Sequence, residues 1–544
     1  MNNIEENFKF EENRSNLKIS FERISFIFFI FFIITAIFAS KTLYLGLKKT
    51  NQIQTTKEKE KFRASIMDRD GNIIAKTVRV TNLGINPQQL IDKEKLQISL
   101  RLIFPEKSFE KEINGKKFFY VKRKISPEKL EKVKLLGEKS FKEEEKIARV
   151  YPNGNLFSHI LGQIDTDNNG VSGIEKSFDY ELTTSNKPLK LTLDTELQYL
   201  TRQELLKFQD IFKSYGSTAI LMNIHNGEIL SMVSLPDFDL NKRENISDKK
   251  YINRSTKGVY ELGSVFKTFT LAAGFQYNVV TADTLFENLP KKINCAGRSI
   301  SEYDMDIPSR LTAEEILIRS GNIGSIKIAQ KVGLENFRKF LEDLDLLYKI
   351  QFDIEEVGNP ISFKWGKCKL ATSAYGHGIT TTPLQLAKGY AIIANGGYKI
   401  KPTLIKKDKN LKKGEQVISK ENSMKINEIL RKIVISDQGT ANLADIVGYE
   451  IAGKTGTAQK SIKGKYSKKK VNTFASIFPI SDPKYVLIVL LDEPKLSKDY
   501  IYKYNNDGKE RKVVGTPFNT AGWTSVEVAK NIIEKIGPIL AIKY

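Results

Sequence analysis

The sequence predicts an α/β sandwich whose sheet is completed by strands from both ends of one long domain. Two observations carry this reading. Thr218–Asn223 and Glu228–Val233 are apolar runs around His225-Asn226-Gly227, and Asn-Gly between such runs is a strong hairpin signal. Far later in the chain, Phe474–Pro479 and Tyr485–Leu491 read as two more strands. Helical patterns dominate the residues between the two pairs, and Ser525–Ile539 reads as a closing helix.

The chain has 544 residues, too many for one ordinary core, so two or three domains are expected. Hydrophobic residues make up 40% and charged residues 28%, a globular balance rather than a disordered one. The net charge of +22 favours an anionic neighbour such as a membrane surface or an acidic polymer. It is spread along the chain and accompanies no base-recognition motif, so no nucleic acid is expected as a partner. A Lys-rich composition is a sufficient alternative account of the charge. His159, His225 and His377 are scattered without ligand spacing, and neither metal nor cofactor is expected. Cys295 and Cys368 form no CxxC motif. A bridge between them is allowed outside the cytoplasm, but their proximity is not legible from spacing.

Ile24–Ser40 carries no charge, and the apolar run resumes at Leu43–Leu47 after Lys41. Such a segment can span a bilayer, and no A-x-A cleavage site follows, so it reads as an uncleaved signal anchor. Lys18 and Arg23 precede it while Lys41, Lys48 and Lys49 follow, so charge does not orient it. The expected organisation is a polar cytoplasmic tail over residues 1–23, a transmembrane anchor over 24–47, an α+β module over 48–190 and a larger domain over 191–544. Residues 48–62 read as a helical or extended stalk. Within the module, apolar residues flank the turn signal Asp70-Gly71, and Ser126–Glu145 reads as a Lys/Glu-rich helix. The larger domain opens with Asp194 or Thr195 capping a helix that runs through Phe212. The Lys-rich segments 461–470 and 505–512 read as loops.

Three short motifs carry chemistry. In Glu261-Leu-Gly-Ser264-Val-Phe-Lys267 a serine enters an apolar, helix-like stretch. Lys267, three residues on, shares its helix face and can reach the hydroxyl. A serine is a poor nucleophile until a neighbour takes its proton, and a lysine can do so once its pKa is lowered. The helix N-terminus also offers N–H groups to a developing oxyanion. Alone this signal is weak, because Ser-x-x-Lys recurs at Ser108, Ser126, Ser247, Ser467 and Ser481. The second motif, Ser320-Gly321-Asn322, lies between two helix-like stretches, where helix capping is the plain reading. The third is Lys454-Thr455-Gly456-Thr457. On an edge strand its glycine would admit a ligand close to the backbone, and its ammonium and hydroxyls suit a carboxylate. A phosphate-binding loop is the competing reading, and with tyrosine at position 449 it is not expected to form. Their order decides the matter: Ser-x-x-Lys, Ser-x-Asn and Lys-Thr-Gly in succession is the signature of penicillin-binding proteins and serine β-lactamases.

The sequence resembles the class B penicillin-binding proteins well beyond these motifs. The resemblance includes Arg63–Ala75, Arg149-Val-Tyr-Pro152, His159-Ile-Leu-Gly162 and Gly170–Glu175 in the module. It continues through Tyr260–Lys267, Tyr375-Gly-His-Gly-Ile379, Thr382–Leu386, Ala394–Gly397 and Ala452–Gln459. It covers roughly residues 63–535, and the Gly-His-Gly-Ile stretch is more similar to the division-specific, septal member than to the elongation-specific one. No glycosyltransferase domain is seen before the transpeptidase, unlike class A.

The resemblance implies a mainly antiparallel sheet flanked by helices, behind an N-terminal pedestal or dimerisation module and one transmembrane helix. It implies a D,D-transpeptidase acting on peptidoglycan stem peptides that end in D-Ala-D-Ala, and inhibited by β-lactams. Ser264 would be the nucleophile and Lys267 its base. Ser320 would relay a proton near Lys454, and Asn322 would hydrogen-bond the substrate backbone and Lys267. Lys454, Thr455, Gly456 and Thr457 would hold the terminal carboxylate, with the N–H groups of Ser264 and Thr457 as oxyanion hole. A multi-span glycan polymerase and other division proteins are the implied partners, with the C-terminal domain outside the cytoplasmic membrane.

Two alternatives remain at this point. A D,D-carboxypeptidase or β-lactamase shares the constellation, and Glu355 and Asn359 fall where a deacylating pair could lie. A non-catalytic division scaffold would be expected to lack Ser264 or Lys454, and both are present.

Overall fold

The computed structural model describes residues 3–47, 62–242, 249–361, 363–406, 414–462, 465–506 and 509–544. Two units are distinguished, Met1–Lys61 and Phe62–Tyr544. The first contains one continuous helix, α1 (Asn3–Leu47). Its stretch Phe21–Gly46 is long and apolar enough to cross a membrane. The segment read as a polar tail is therefore helical from Asn3. Its Glu, Asn and Lys residues are interrupted by no Pro or Gly, so nothing local stops the helix. The expected stalk lies outside the described residues except for Phe62.

The second unit begins with the pedestal. β1 (Ile66–Met67) turns through Asp68–Asn72 into the long β2 (Ile73–Ile85). One Asp68 carboxylate oxygen accepts from the N–H groups of Asp70 and Asn72, and Gly71 adopts φ +94°, so the expected hairpin forms at Asp70-Gly71. β3 (Phe119–Ile125) pairs antiparallel with β2 and leads into helix α2 (Pro127–Lys134). The helix expected over Ser126–Glu145 stops at this point. Gly137 adopts φ +66°, and Phe141–Val150 forms β4, antiparallel to β2 from Lys76 to Ile85. A long strand offering its backbone edge outweighs the helix preference of Glu and Lys. β5 (Leu189–Lys190) returns parallel to β1.

Ionic contacts knot the base of the pedestal. Glu175 lies between two buried guanidiniums, 2.9 Å from Arg63 Nε and 2.7 Å from Arg149 Nε. Arg63 also reaches Asp179, and Arg149 donates to the carbonyl of Ala64. One carboxylate thus joins the start of the unit, the end of β4 and the short helix Gly173–Ser177.

The larger domain follows. Asp194 caps α3 (Thr195–Phe212), as expected, and β6 (Gly216–Asn223) and β7 (Ile229–Leu235) form the hairpin around Asn226-Gly227. A 3-10 turn, Gly263–Phe266, opens α4 (Lys267–Gln276). A small hairpin, β8 (Lys292–Cys295) and β9 (Arg298–Ser301), precedes α5 (Asn322–Val332). Then come α6 (Lys367–Ser373) and α7 (Pro383–Ala394). The final strands are β10 (Ala452–Ile462), β11 (Lys465–Phe478), β12 (Tyr485–Asp492), β13 (Ile501–Asn506) and β14 (Lys509–Val514), before α8 (Ser525–Lys543).

Among the described residues the main sheet has the order β10-β11-β12-β6-β7, antiparallel throughout. Both ends of the domain contribute to it, as the sequence predicts. α3 and α8 pack together against the sheet, and α7 also packs on it. Every residue of β12 and β7 is buried. The two segments read as Lys-rich loops are mostly strand, the ends of the β10–β11 and β13–β14 hairpins. Buried Tyr502, in register with half-buried Val513, gives the second hairpin an inward face that its charges conceal in sequence. Cys295 and Cys368 form a disulfide between β8 and α6.

Replacing Glu175 with Ala leaves two buried guanidiniums without their shared counter-charge. Breaking such a cluster costs about 3–5 kcal/mol. Denaturant unfolding of the full chain in detergent should show a loss of that size; a change below about 1 kcal/mol would refute the knot's role.

Candidate catalytic site

The three motifs converge on one cleft beside β10. Ser264 is half-buried in the 3-10 turn that opens α4, a helix whose residues Lys267–Phe275 are all buried. Tyr390 of α7 donates to the carbonyl of Val265 and shares a hydrogen bond with the Thr268 hydroxyl, which fixes the turn on its sheet-facing side. Two glycines let this turn lie directly on the strand. A Cβ on Gly263, whose φ is +63°, would come within 2.8 Å of the Thr457 carbonyl oxygen. A Cβ on Gly456 would sit 2.2 Å from the Leu262 carbonyl oxygen and 3.2 Å from Val265 N. Lys-Thr-Gly therefore lies on an edge strand, with its glycine at the point of closest approach.

That geometry also answers the phosphate-loop question. Gly448 stands five residues before Gly453, so spacing alone does not exclude such a loop. The structure does, because Lys454 lies inside β10 rather than in a loop that enters a helix.

Ser320 is the hub of the cleft. Its Oγ lies 2.9 Å from Lys454 Nζ and 3.2 Å from Lys267 Nζ, and Lys267 also donates to the Ser320 carbonyl. Lys454 donates to the Thr455 carbonyl as well. Both lysines are almost wholly removed from water. Burial pushes Lys267 down to about 7, against the opposing influence of the Glu302 carboxylate. Burial pushes Lys454 well below the ordinary lysine range, and the charge of Lys267 adds to the effect. Ser320 itself is left-handed, with φ +58°, because it closes the preceding helix Ala313–Ile318, whose Leu317 and Ile316 carbonyls accept from Ser320 N and Gly321 N.

Other expected contacts differ. The Ser264 hydroxyl has no hydrogen-bond partner among the described residues, and Lys267 faces Ser320 instead. Among the described residues Asn322 makes no hydrogen bond to Lys267; its side-chain amide donates to the Ser301 carbonyl. The Thr455 hydroxyl is paired with that of Thr440 at 2.6 Å, and the Thr457 hydroxyl accepts from Ala521 N at 2.9 Å. The hydroxyls expected to hold a carboxylate are thus oriented by neighbours from outside the motifs. Sequence reading missed Thr440 and Glu302, since neither belongs to a motif. Glu355 is bound to Lys176 of the pedestal and is largely exposed, and Asn359 is exposed. Among the described residues neither makes a hydrogen bond or ion pair to Ser264, Lys267, Ser320 or Lys454. Among the described residues, no cluster of three or more His, Cys, Asp or Glu side chains is placed to hold a metal ion.

A serine at the mouth of a buried helix, two desolvated lysines and an edge strand together define a serine acyltransferase of the penicillin-recognising kind. Residues 217–514 match the penicillin binding protein transpeptidase domain, and residues 59–204 match the penicillin-binding protein dimerisation domain. A probable peptidoglycan D,D-transpeptidase FtsI from Caulobacter vibrioides is 30% identical over 502 residues, 89% of this chain and 82% of that relative. The peptidoglycan D,D-transpeptidase FtsI of Escherichia coli K12 is 28% identical over 479 residues, 80% of each chain. The crystal structure of penicillin binding protein 3 from Mycobacterium tuberculosis, complexed with aztreonam, shares the fold. Its TM-score is 0.67 at 22% identity, covering 88% of this chain and 96% of that one. The chain belongs to the class B penicillin-binding proteins, the family of peptidoglycan D,D-transpeptidases.

Gly456→Ala should force β10 away from the serine's turn. A displacement on the ångström scale at reacting groups costs about 10²-fold in rate. Penicillin acylation of the variant should fall by that order while its circular dichroism is unchanged; wild-type acylation would show that the close approach is dispensable.

Proposed function

We propose that this chain cross-links peptidoglycan stem peptides during septal wall synthesis, through an acyl-enzyme on Ser264. The observation that carries the reading is the Ser320 hydroxyl held between the buried amines of Lys267 and Lys454. With its pKa near 7, Lys267 is neutral in a large fraction of molecules at physiological pH and can accept a proton. Ser264 Oγ then attacks the carbonyl carbon between the terminal D-alanines as its proton passes to Lys267. The N–H groups of Ser264 and Thr457 face the resulting oxyanion. The Ser320 hydroxyl delivers a proton to the departing amine and is resupplied from the lysines on either side, so D-alanine leaves and an ester remains. An amine of a second stem peptide attacks that ester and gives up its proton through Lys267. The new amide forms and Ser264 recovers its hydrogen. A β-lactam acylates the same oxygen by ring opening.

The carboxylate subsite follows from the same electrostatics. Two amines with no carboxylate in hydrogen-bond contact among the described residues cannot both stay charged in a dry cleft, and burial pushes both below the ordinary lysine range. A substrate carboxylate arriving beside Lys454, Thr455 and Thr457 supplies the missing counter-charge and returns the proton. Asn322 sits at the rim, where its amide can turn from Ser301 toward a substrate carbonyl.

The apolar helix Phe21–Gly46 anchors the chain to the cytoplasmic membrane, with residues after it outside. The Cys295–Cys368 bridge supports that side, because disulfides persist in oxidising compartments. Glycan strands come from a separate multi-span polymerase, which with other division proteins would dock on the anchor and pedestal.

A fluorescent penicillin should label the full chain in detergent stably, and Ser264→Ala should abolish labelling. Release within seconds would favour hydrolysis, and an unlabelled but folded wild type would leave only a scaffold. The labelling rate of the wild type should climb as pH rises through about 7 and level off above it, because protonated Lys267 cannot act as base. A rate independent of pH across that range would remove Lys267 from the role.

A further inference from the structure

The loop that carries Ser320 is held from outside all three motifs. Glu302, the residue after β9, is buried, and both its carboxylate oxygens are engaged. Oε2 accepts from Asn322 N at 2.6 Å, and Oε1 accepts from Ile323 N at 2.8 Å. The preceding carbonyl, Ser301, accepts from the Asn322 side chain at 2.9 Å. These contacts satisfy the first N–H groups of α5, which its own N-cap residue, Gly321, has no side chain to do. The hairpin bearing Glu302 is itself tied down. Glu302 N donates to the Lys291 carbonyl, and Cys295 of β8 is bridged to Cys368 in α6, a helix that packs on α5. Ser320 is the left-handed residue that closes the preceding helix Ala313–Ile318: its N–H donates to the Leu317 carbonyl and Gly321 N donates to the Ile316 carbonyl, while Glu302 holds the loop from its other side.

We propose that Glu302 is a positioning residue for acyl transfer: its carboxylate clamps the Ser320–Gly321–Asn322 loop so that the Ser320 hydroxyl stays between Lys267 and Lys454. Capping a helix needs only an acceptor, and asparagine, serine or glutamine would serve. A buried carboxylate does something further. Lys267 is hydrogen-bonded to Ser320 from the loop, and the charges that act on it come from Lys454 of β10 and from Glu302 in the segment after β9. Glu302 is the anion among these groups. It supports the protonated form of Lys267 that exists after Ser264 has given up its hydrogen, and so acts on position and on charge from one place.

The proposal rests on Ser264 as nucleophile, and its test separates the two. The acylation rate constant with a fluorescent penicillin is measured across about pH 5.5–9.5 for the full chain in detergent, spanning the titration of a depressed lysine. Wild type is compared with Glu302→Gln and Glu302→Asp. Glu302→Gln should lower the alkaline plateau by about tenfold or more, since its NH2 opposes one of the two backbone N–H groups. It should also move the acid limb to lower pH, because the charge supporting protonated Lys267 is gone. Glu302→Asp keeps the charge on a shorter stem, so its plateau should fall while its limb stays near the wild-type position. A Glu302→Gln limb coincident with that of the wild type overturns the proposal, whatever the plateau. If that variant does not fold, Glu302→Asp decides, and a wild-type plateau there overturns it. A folded wild type that takes no label would defeat the Ser264 reading and this proposal with it.

Discussion

Two lysines stripped of water around a single serine hydroxyl are the constraint on which the cleft depends. An ammonium is strongly hydrated, and moving it into a dry interior without a bonded counter-ion is costly unless it loses its proton. Lys267 and Lys454 are both buried, and among the described residues neither forms an ion pair. The site is therefore a place where stability is given up for reactivity, and the rest of the domain must hold it in place. The helix behind Ser264 is buried almost throughout, and the strand that carries Lys454 belongs to a sheet in which every residue of β12 and β7 is buried. Rigid walls let an unfavourable pair of amines persist without collapsing onto surface carboxylates.

The same demand explains why glycine recurs where the motifs touch. Gly263 and Gly456 allow the turn that bears Ser264 and the edge strand to approach to backbone contact. The backbone around Ser264 and that of Gly456–Thr457 then belong to two different chain segments packed directly on one another. The neighbours that orient Thr455 and Thr457, namely Thr440 and the backbone at Ala521, extend this arrangement one layer further out. Preorganisation here is made of short hydrogen bonds between residues that no motif contains.

Much of this was legible in the sequence, and the pattern of misses is physical. Turn chemistry at Asp70-Gly71 and Asn226-Gly227, the cap at Asp194 and the closing helix are local properties, and local signals found them. The order of the three motifs located Ser264, Ser320 and Lys454 in one cleft. Residues 141–145 and the two Lys-rich hairpins were misread because their structure is decided by a distant strand edge rather than by their own composition. Glu302 and the Cys295–Cys368 bridge were out of reach for a related reason: each acts across a separation that spacing does not encode. The glycine spacing around Lys454 shows the converse, a match to a phosphate loop that only tertiary structure removes.

The antiparallel seam between β12 and β6 has a bearing on how the chain can be made. Tyr485 pairs with Asn223 and Asp492 with Gly216, so the centre of the sheet is stitched from segments synthesised far apart in time. Until β12 emerges, the apolar edge of β6 has no neighbour on that side, and the cleft has no floor. Closing so distant a pairing is slow, and an unpaired apolar edge invites association with other chains. The domain is thus assembled last-in, at its catalytic core, so a nascent chain stays inert, and needs shielding, until nearly all of it has been delivered.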